Sequence, residues 1–212
     1  SGRYEHVAAR FNARDVAMVG PDHIGHGASP GLRCHLDRFD EYLAPLTSLR
    51  AYIADWYPET PVFLLGHSMG GLIAVHVLLE AQDDYRGAMF SGPAFMTDST
   101  VPSMTIWIAR LLRRLFPKMG MLTLNAQEVS RDPAVVADYI ADPLVFGGKI
   151  TASLGLEILD AMELAVRRAG ELTLPVYIAH GDADFMAAPE GTKMFFEGLS
   201  SADKTLDFWA SL

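Results

Sequence analysis

Cysteine is nearly absent: Cys34 is the only one in 212 residues. No internal disulfide can form, and no thiol cluster is available for zinc or an iron–sulfur centre. Long apolar runs are missing as well. None approaches the ~20 residues that cross a bilayer as a helix. The opening Ser-Gly-Arg-Tyr-Glu-His has neither a basic n-region nor an apolar h-region, so it does not read as a signal peptide. Positive charge is scarce, with 17 Lys and Arg against 26 Asp and Glu and a formal net charge of −9. Such a chain repels nucleic acid unless a local basic face overrides the mean. Internal repeats and low-complexity tracts are also lacking. What is present is globular usage, 50% hydrophobic and 20% charged with 18 Gly and 12 Pro. That is enough for one domain, or one domain carrying an insertion. The cysteine count fits a reduced compartment, so the expected location is cytoplasmic or peripheral to a membrane.

Short apolar runs ending in turn residues set the rhythm of the chain. Val16–Val19 precedes Gly20-Pro21-Asp22, Val62–Leu65 precedes Gly66, Ala88–Phe90 precedes Ser91-Gly92-Pro93, and Val176–Ala179 precedes His180-Gly181-Asp182. A further run begins at Thr205 and reaches Trp209. Continuous runs this short predict strands buried on both faces, as in a parallel sheet. Between them lie helical patterns, one over about 39–57 and one following Gly70. The alternation predicts an α/β fold with its site at the carboxyl ends of the strands. The stretch from Ala94 to Glu171 breaks the rhythm, reading as several helices without a convincing strand. The expected division is a core over 1–93, a helical cap over 94–171, and a return to the core over 172–212.

One run carries most of the chemical information: Pro61-Val62-Phe63-Leu64-Leu65-Gly66-His67-Ser68-Met69-Gly70-Gly71. It holds G-x-S-x-G with an apolar strand before and an apolar helix after, the context that gives the motif meaning. A serine on so sharp a turn has strained backbone angles and an exposed hydroxyl. Gly66 and Gly70 are expected where side chains would collide with neighbouring elements. Ser68 then stands at a helix N-terminus, and the Met69 N–H is available to a developing oxyanion. A serine nucleophile needs a base, and the base needs an orienting carboxylate. Asp184, in the loop after Val176–Ala179, is the expected acid, with Asp182 bracing the turn. The order on such a fold is Ser, acid, His. None of the seven histidines (His6, His23, His26, His35, His67, His76 and His180) follows Asp184.

These segments resemble the monoacylglycerol lipase branch of the α/β-hydrolases, which includes lysophospholipases. Ser1-Gly2-Arg3-Tyr4 resembles the end of that family's H-G-x-G-E-H-S-G-R-Y segment. Asp22 to Ser29 resembles its D-H-x-G-H-G-x-S loop, Val62–Gly71 its V-F-L-L-G-H-S-M-G-G elbow, Ser130-Arg131 and Tyr139 to Leu144 its cap, and His180–Asp184 its acid loop. The resemblance implies an α/β-hydrolase sheet with a cap, and hydrolysis of monoacylglycerols or lysophospholipids through an acyl-enzyme, with no cofactor and no metal. Carried across, Ser68 is the nucleophile, Asp184 the acid and Met69 an oxyanion donor. His67 and Tyr139 match positions that hold the glycerol head group, and Arg3 matches an arginine standing behind them. The family's second oxyanion donor is expected before Ser1 and its catalytic histidine after Leu212. The expectation is a chain cut at both ends and inactive as it stands. A scaffold that holds acyl lipids without cleaving them, or another esterase or acyltransferase, remains an alternative.

One helix runs against the net charge. Between Ser103 and Met119 the apolar Ile106, Trp107, Ile108, Leu111, Leu112, Leu115 and Phe116 alternate with Arg110, Arg113, Arg114 and Lys118, and no carboxylate intervenes. Such a helix either lies at a lipid surface or roofs the pocket with its cations in water.

Overall fold

The computed structural model describes residues 2–97 and 103–210. Ser1 of the Ser1–Tyr4 motif and residues 98–102 of the expected cap lie outside the described residues. In chain order the elements are α1 (Glu5–Asn12), α2 (Leu43–Trp56), β1 (Phe63–His67), α3 (Met69–Ala81), β2 (Gly87–Ser91), α4 (Ser103–Leu115) and β3 (Gly120–Leu122). There follow α5 (Pro133–Ala141), β4 (Ile150–Thr151), α6 (Ala152–Arg168), β5 (Val176–Gly181), α7 (Pro189–Gly198) and β6 (Lys204–Trp209).

Four of the predicted apolar runs form one sheet. Its order is β1-β2-β5-β6 and every neighbouring pair is parallel. The two inner strands are the apolar ones: Ala88, Phe90, Val176 and Ile178 are buried, whereas Phe63 and Leu65 on β1 and Phe208 and Trp209 on β6 are exposed. The buried apolar residues of the two inner strands share one face; on the other, Met89 is half-buried and Tyr177 exposed, so the expected burial on both faces is incomplete in β2 and β5 as well as at the edges. Helix α3 has apolar residues all round because β1, α2 and α6 enclose it. Leu72, Ile73, Val75 and Leu78 consequently lie in the single large core cluster with Phe90, Phe195 and Ile178.

The fifth run departs from expectation. Val16–Val19 forms no ladder, and both valines are exposed. An apolar run becomes a strand only where a partner supplies hydrogen bonds, and no strand flanks the outer edge of β1 among the described residues. The stretch over 94–171 also differs from its reading. It contains a small antiparallel ribbon, β3 with β4, and these strands of three and two residues are too short to show a period. Helix α6 packs on α3 and α7 as well as on α4, and its Leu154, Ala161, Met162 and Ala165 join the main core. Thr151 fastens this region to the rest: its hydroxyl donates to the Cys34 carbonyl and accepts the Leu154 N–H at the start of α6. Asp132 caps α5 by accepting the Ala134 N–H at 2.8 Å, with Pro133 at the first helical position.

Candidate active site

Three loops converge where β1, β2 and β5 end. The first is the turn from β1 into α3. Ser68 has φ 51° and ψ −122°, a conformation that side-chain-bearing residues avoid. It persists because neighbouring backbone holds it from both sides. The Ser68 N–H donates to the Ser91 carbonyl at the end of β2, and the Ser68 carbonyl accepts from Gly71, Leu72 and Ala94. The side chain is partly exposed, not packed under others. Met69 opens α3, so no preceding turn accepts its N–H.

The glycines divide the work differently from the sequence expectation. A Cβ on Gly66 would sit 2.5 Å from the Gly70 carbonyl oxygen and 2.6 Å from the Gly71 Cα, whereas a Cβ on Gly70 meets nothing within 4 Å. The collision at the second position belongs to Gly71, whose Cβ would strike the Pro93 side chain at 2.8 Å. Gly70 faces open space over the elbow. Gly66→Ala should therefore destabilise by about 3 kcal/mol, while Gly70→Ala should be neutral or stabilising by about 0.5 kcal/mol through backbone entropy. Urea unfolding midpoints check the pair, and equal midpoints would contradict this packing.

The second loop follows β5. Asp184 Oδ1 accepts the N–H groups of Met186 at 2.8 Å and Ala187 at 2.9 Å. Burial alone would raise its pKa, but the donors from His180, Ala187 and Met186 outweigh it and hold the carboxyl below the usual carboxylate range. Oδ2 is turned toward Gly92, which opens the third loop after β2: a Cβ there would lie 3.5 Å from Asp184 Oδ2 and 3.8 Å from His67 Cε1. Gly92 has φ 47°, a left-handed conformation that favours glycine. Asp182 is exposed and donates its N–H to Trp209 on β6. The Ser91-Gly92-Pro93 turn was visible in the sequence, but its closeness to Asp184 and His67 was not.

The residues matched to a head-group site also gather here. His67 Nδ1–H donates to the Ser91 carbonyl at 2.8 Å, leaving Nε2 as the basic nitrogen. Burial is the main cause that lowers its pKa; the Ser91 carbonyl and Asp184 oppose it, and Arg3 adds to the fall. Arg3 lies over the Tyr139 ring at 4.7 Å from the centroid, so one arginine acts on His67 and on α5 together. The other histidines are held elsewhere. His76 is buried and donates to the Ala161 carbonyl, and His35 bonds to Thr151. His26 bonds to the Ile24 carbonyl, and His23, packed edge-on against Tyr42, is pulled down to about 4 by burial and by His26. Among the described residues no group of three or more His, Cys, Asp or Glu side chains is arranged to hold a metal ion.

A strained serine at the head of α3, with Asp184 in the loop after the second strand over, is an arrangement that serine hydrolases use. The family comes from comparison with known proteins. The model of the Hydrolase_4 family, described as serine aminopeptidase S33, matches residues 1–212. The monoacylglycerol lipase of Mycolicibacterium smegmatis is 35% identical over 212 residues, covering 100% of this chain and 76% of that protein. The chain belongs to the monoacylglycerol lipase-type α/β-hydrolases. The monoglyceride lipase of Rattus norvegicus is 30% identical over 209 residues, 98% of this chain and 69% of that protein. The crystal structure of Paleococcus ferrophilus monoacylglycerol lipase superposes with a TM-score of 0.87 at 32% identity, covering 100% of this chain and 80% of that one. The α/β-hydrolase fold, its mostly parallel sheet flanked by helices, is thus shared with that family.

Proposed function

We propose that this chain provides the nucleophile, the acid and most of the head-group site of a monoacylglycerol hydrolase. The observation that carries the reading is the backbone of Ser68, at φ 51° and ψ −122° directly before α3. Ser68 Oγ attacks the ester carbonyl carbon while an imidazole takes its proton. The tetrahedral oxyanion is met by the Met69 N–H. Collapse breaks the bond to the alcohol oxygen, and the imidazolium returns the proton to the leaving glycerol. Water then repeats the sequence on the acyl-enzyme, releasing the fatty acid and restoring Ser68. Asp184 orients the imidazole, and His67, Tyr139 and Arg3 hold the glycerol.

No histidine with a described ring hydrogen bond gives its Nδ1 to Asp184, as the orienting of that imidazole requires. His180, beside Asp184, has both ring nitrogens engaged and is buried, and His67 gives its Nδ1–H to the Ser91 carbonyl in place of a carboxylate. We therefore expect residues 1–212 alone to cleave monoacylglycerol near background, and a polypeptide extended at both ends to cleave it in a Ser68-dependent way. Fatty-acid release measured on the two polypeptides tests this. Strong turnover from residues 1–212 would put the base among the seven histidines. An extended polypeptide that binds monoacylglycerol and never cleaves it would favour the lipid-holding alternative.

We also infer peripheral membrane contact through α4. Arg113 bonds to Glu157 on α6 and to the Asp37 carbonyl, and Arg110 pairs with Asp160 on α6 at 3.5 Å. Arg113 thus turns toward α6 while Arg110 stays exposed, and much of the apolar face turns out: Met104, Trp107, Leu111 and Leu115 are each about half exposed or more. No helix among the described residues is long and apolar enough to cross a membrane, so contact would be parallel to the surface. Trp107→Asp is expected to weaken co-sedimentation with phospholipid vesicles about tenfold, the equivalent of ~1.4 kcal/mol. Unchanged binding would assign this face to the pocket mouth instead.

A further inference from the structure

We propose that His180 is a positioning residue for Asp184, its Nε2–H forked between the Ala187 carbonyl and Asp184 Oδ2 so as to fix the plane of the carboxylate. The proposal rests on Asp184 being the acid of the reaction above. His180 is 2% exposed, and a polar group that deep persists only when its hydrogen bonds are made. The partners decide the tautomer. Ala187 offers a carbonyl oxygen 3.0 Å from Nε2, which can only accept, so Nε2 carries the hydrogen. Nδ1 is then the acceptor for the Thr192 hydroxyl at 2.7 Å, and Thr192 is itself wholly buried on α7. The imidazole is held from both ends.

What this does to Asp184 follows from the loop. The N–H groups of Met186 and Ala187 both end on Oδ1. They anchor one oxygen and leave the other free to swing about it. Nε2 of His180 stands 3.5 Å from Oδ2, long for a hydrogen bond but close for a polarised N–H facing a carboxylate. That contact fixes where Oδ2 points while leaving its lone pairs open toward the Gly92 side. Besides His180, the titratable group that faces this carboxylate among the described residues is His67, across Gly92. A residue that only filled space would be replaceable by an apolar ring with little effect.

The test separates space-filling from positioning. His180→Phe with Thr192→Val removes the donor and the hydroxyl that it leaves behind while keeping the volume. His180→Gln keeps an N–H donor at the same number of bonds from Cβ. In residues 1–212, the Asp184 carboxyl carbon is titrated by ¹³C NMR; the double variant should shift its midpoint upward and His180→Gln should restore it. In the extended polypeptide, the double variant should lose about ten- to a hundredfold in kcat with KM unchanged, and His180→Gln should recover most of the loss. A midpoint in the double variant that superposes on the parent overturns the proposal. Should the double variant fail to fold, Thr192→Val alone unseats Nδ1, and a smaller upward shift is required of it. If Asp184→Asn leaves turnover intact while the midpoint still moves, the functional reading fails and the His180–Asp184 coupling stands.

Discussion

Ser68→Ala should lower monoacylglycerol turnover by about 10⁴- to 10⁶-fold, with substrate affinity little changed. The loss is large because no neighbouring group can take over covalent attack at a turn that presents one side chain. Residual catalysis would come from binding and from the Met69 N–H alone. The substitution should not disturb the fold. The hydrogen bonds that enforce φ 51° at this position run through backbone atoms to Ser91, Gly71, Leu72 and Ala94, and alanine keeps all of them. Thermal unfolding of the variant should therefore superpose on the parent within about 1 kcal/mol. Retention of more than about a hundredth of the parent rate would remove Ser68 from the nucleophile's role.

Asp184→Asn is expected to cost about 10⁴-fold in kcat, and it should also loosen its loop. The amide has one acceptor and one donor where the carboxylate has two acceptors. With its oxygen toward Met186 and Ala187, its NH₂ group faces the Nε2–H of His180. Flipped, it presents donors to two backbone N–H groups. The first arrangement sets two donors against each other, and the second leaves the Met186 and Ala187 N–H groups unpaired, a penalty of about 1–3 kcal/mol. Urea unfolding and single-turnover kinetics on the same variant measure both losses. A variant with parent-like kcat would point to Asp182 or another acid.

Local signals carried far in this chain, and failed where a second chain segment decides. The elbow was legible because strand, Gly66, Ser68 and helix are contiguous, so their chemistry is read within eleven residues. The position of Asp184 in a loop at a strand end was legible from the apolar run before it. Gly70 and Gly71 were not separable, since only the position of Pro93 tells which of them is crowded. Val16–Val19 looks like the other strands in composition and differs in lacking a neighbour. For α4 the periodicity gave two faces without saying which turns inward; the partner that draws Arg113 in, Glu157, lies more than forty positions later. The role of His180 was invisible for the same reason. It depends on a carbonyl and a hydroxyl seven and twelve residues onward, brought back by the turn into α7.

The ladder order has a consequence for the spacing of Ser68 and Asp184. Ser68 follows β1 and Asp184 follows β5, and only β2 lies between those strands. Their separation is two inter-strand steps, about 10 Å. One aromatic five-membered ring bonded at both edges, at about 2.6–3.2 Å on each side, bridges side chains reaching inward across such a gap. Main-chain hydrogen bonds thus serve as the gauge, and core substitutions that spare them should leave the spacing between the alcohol and the acid untouched.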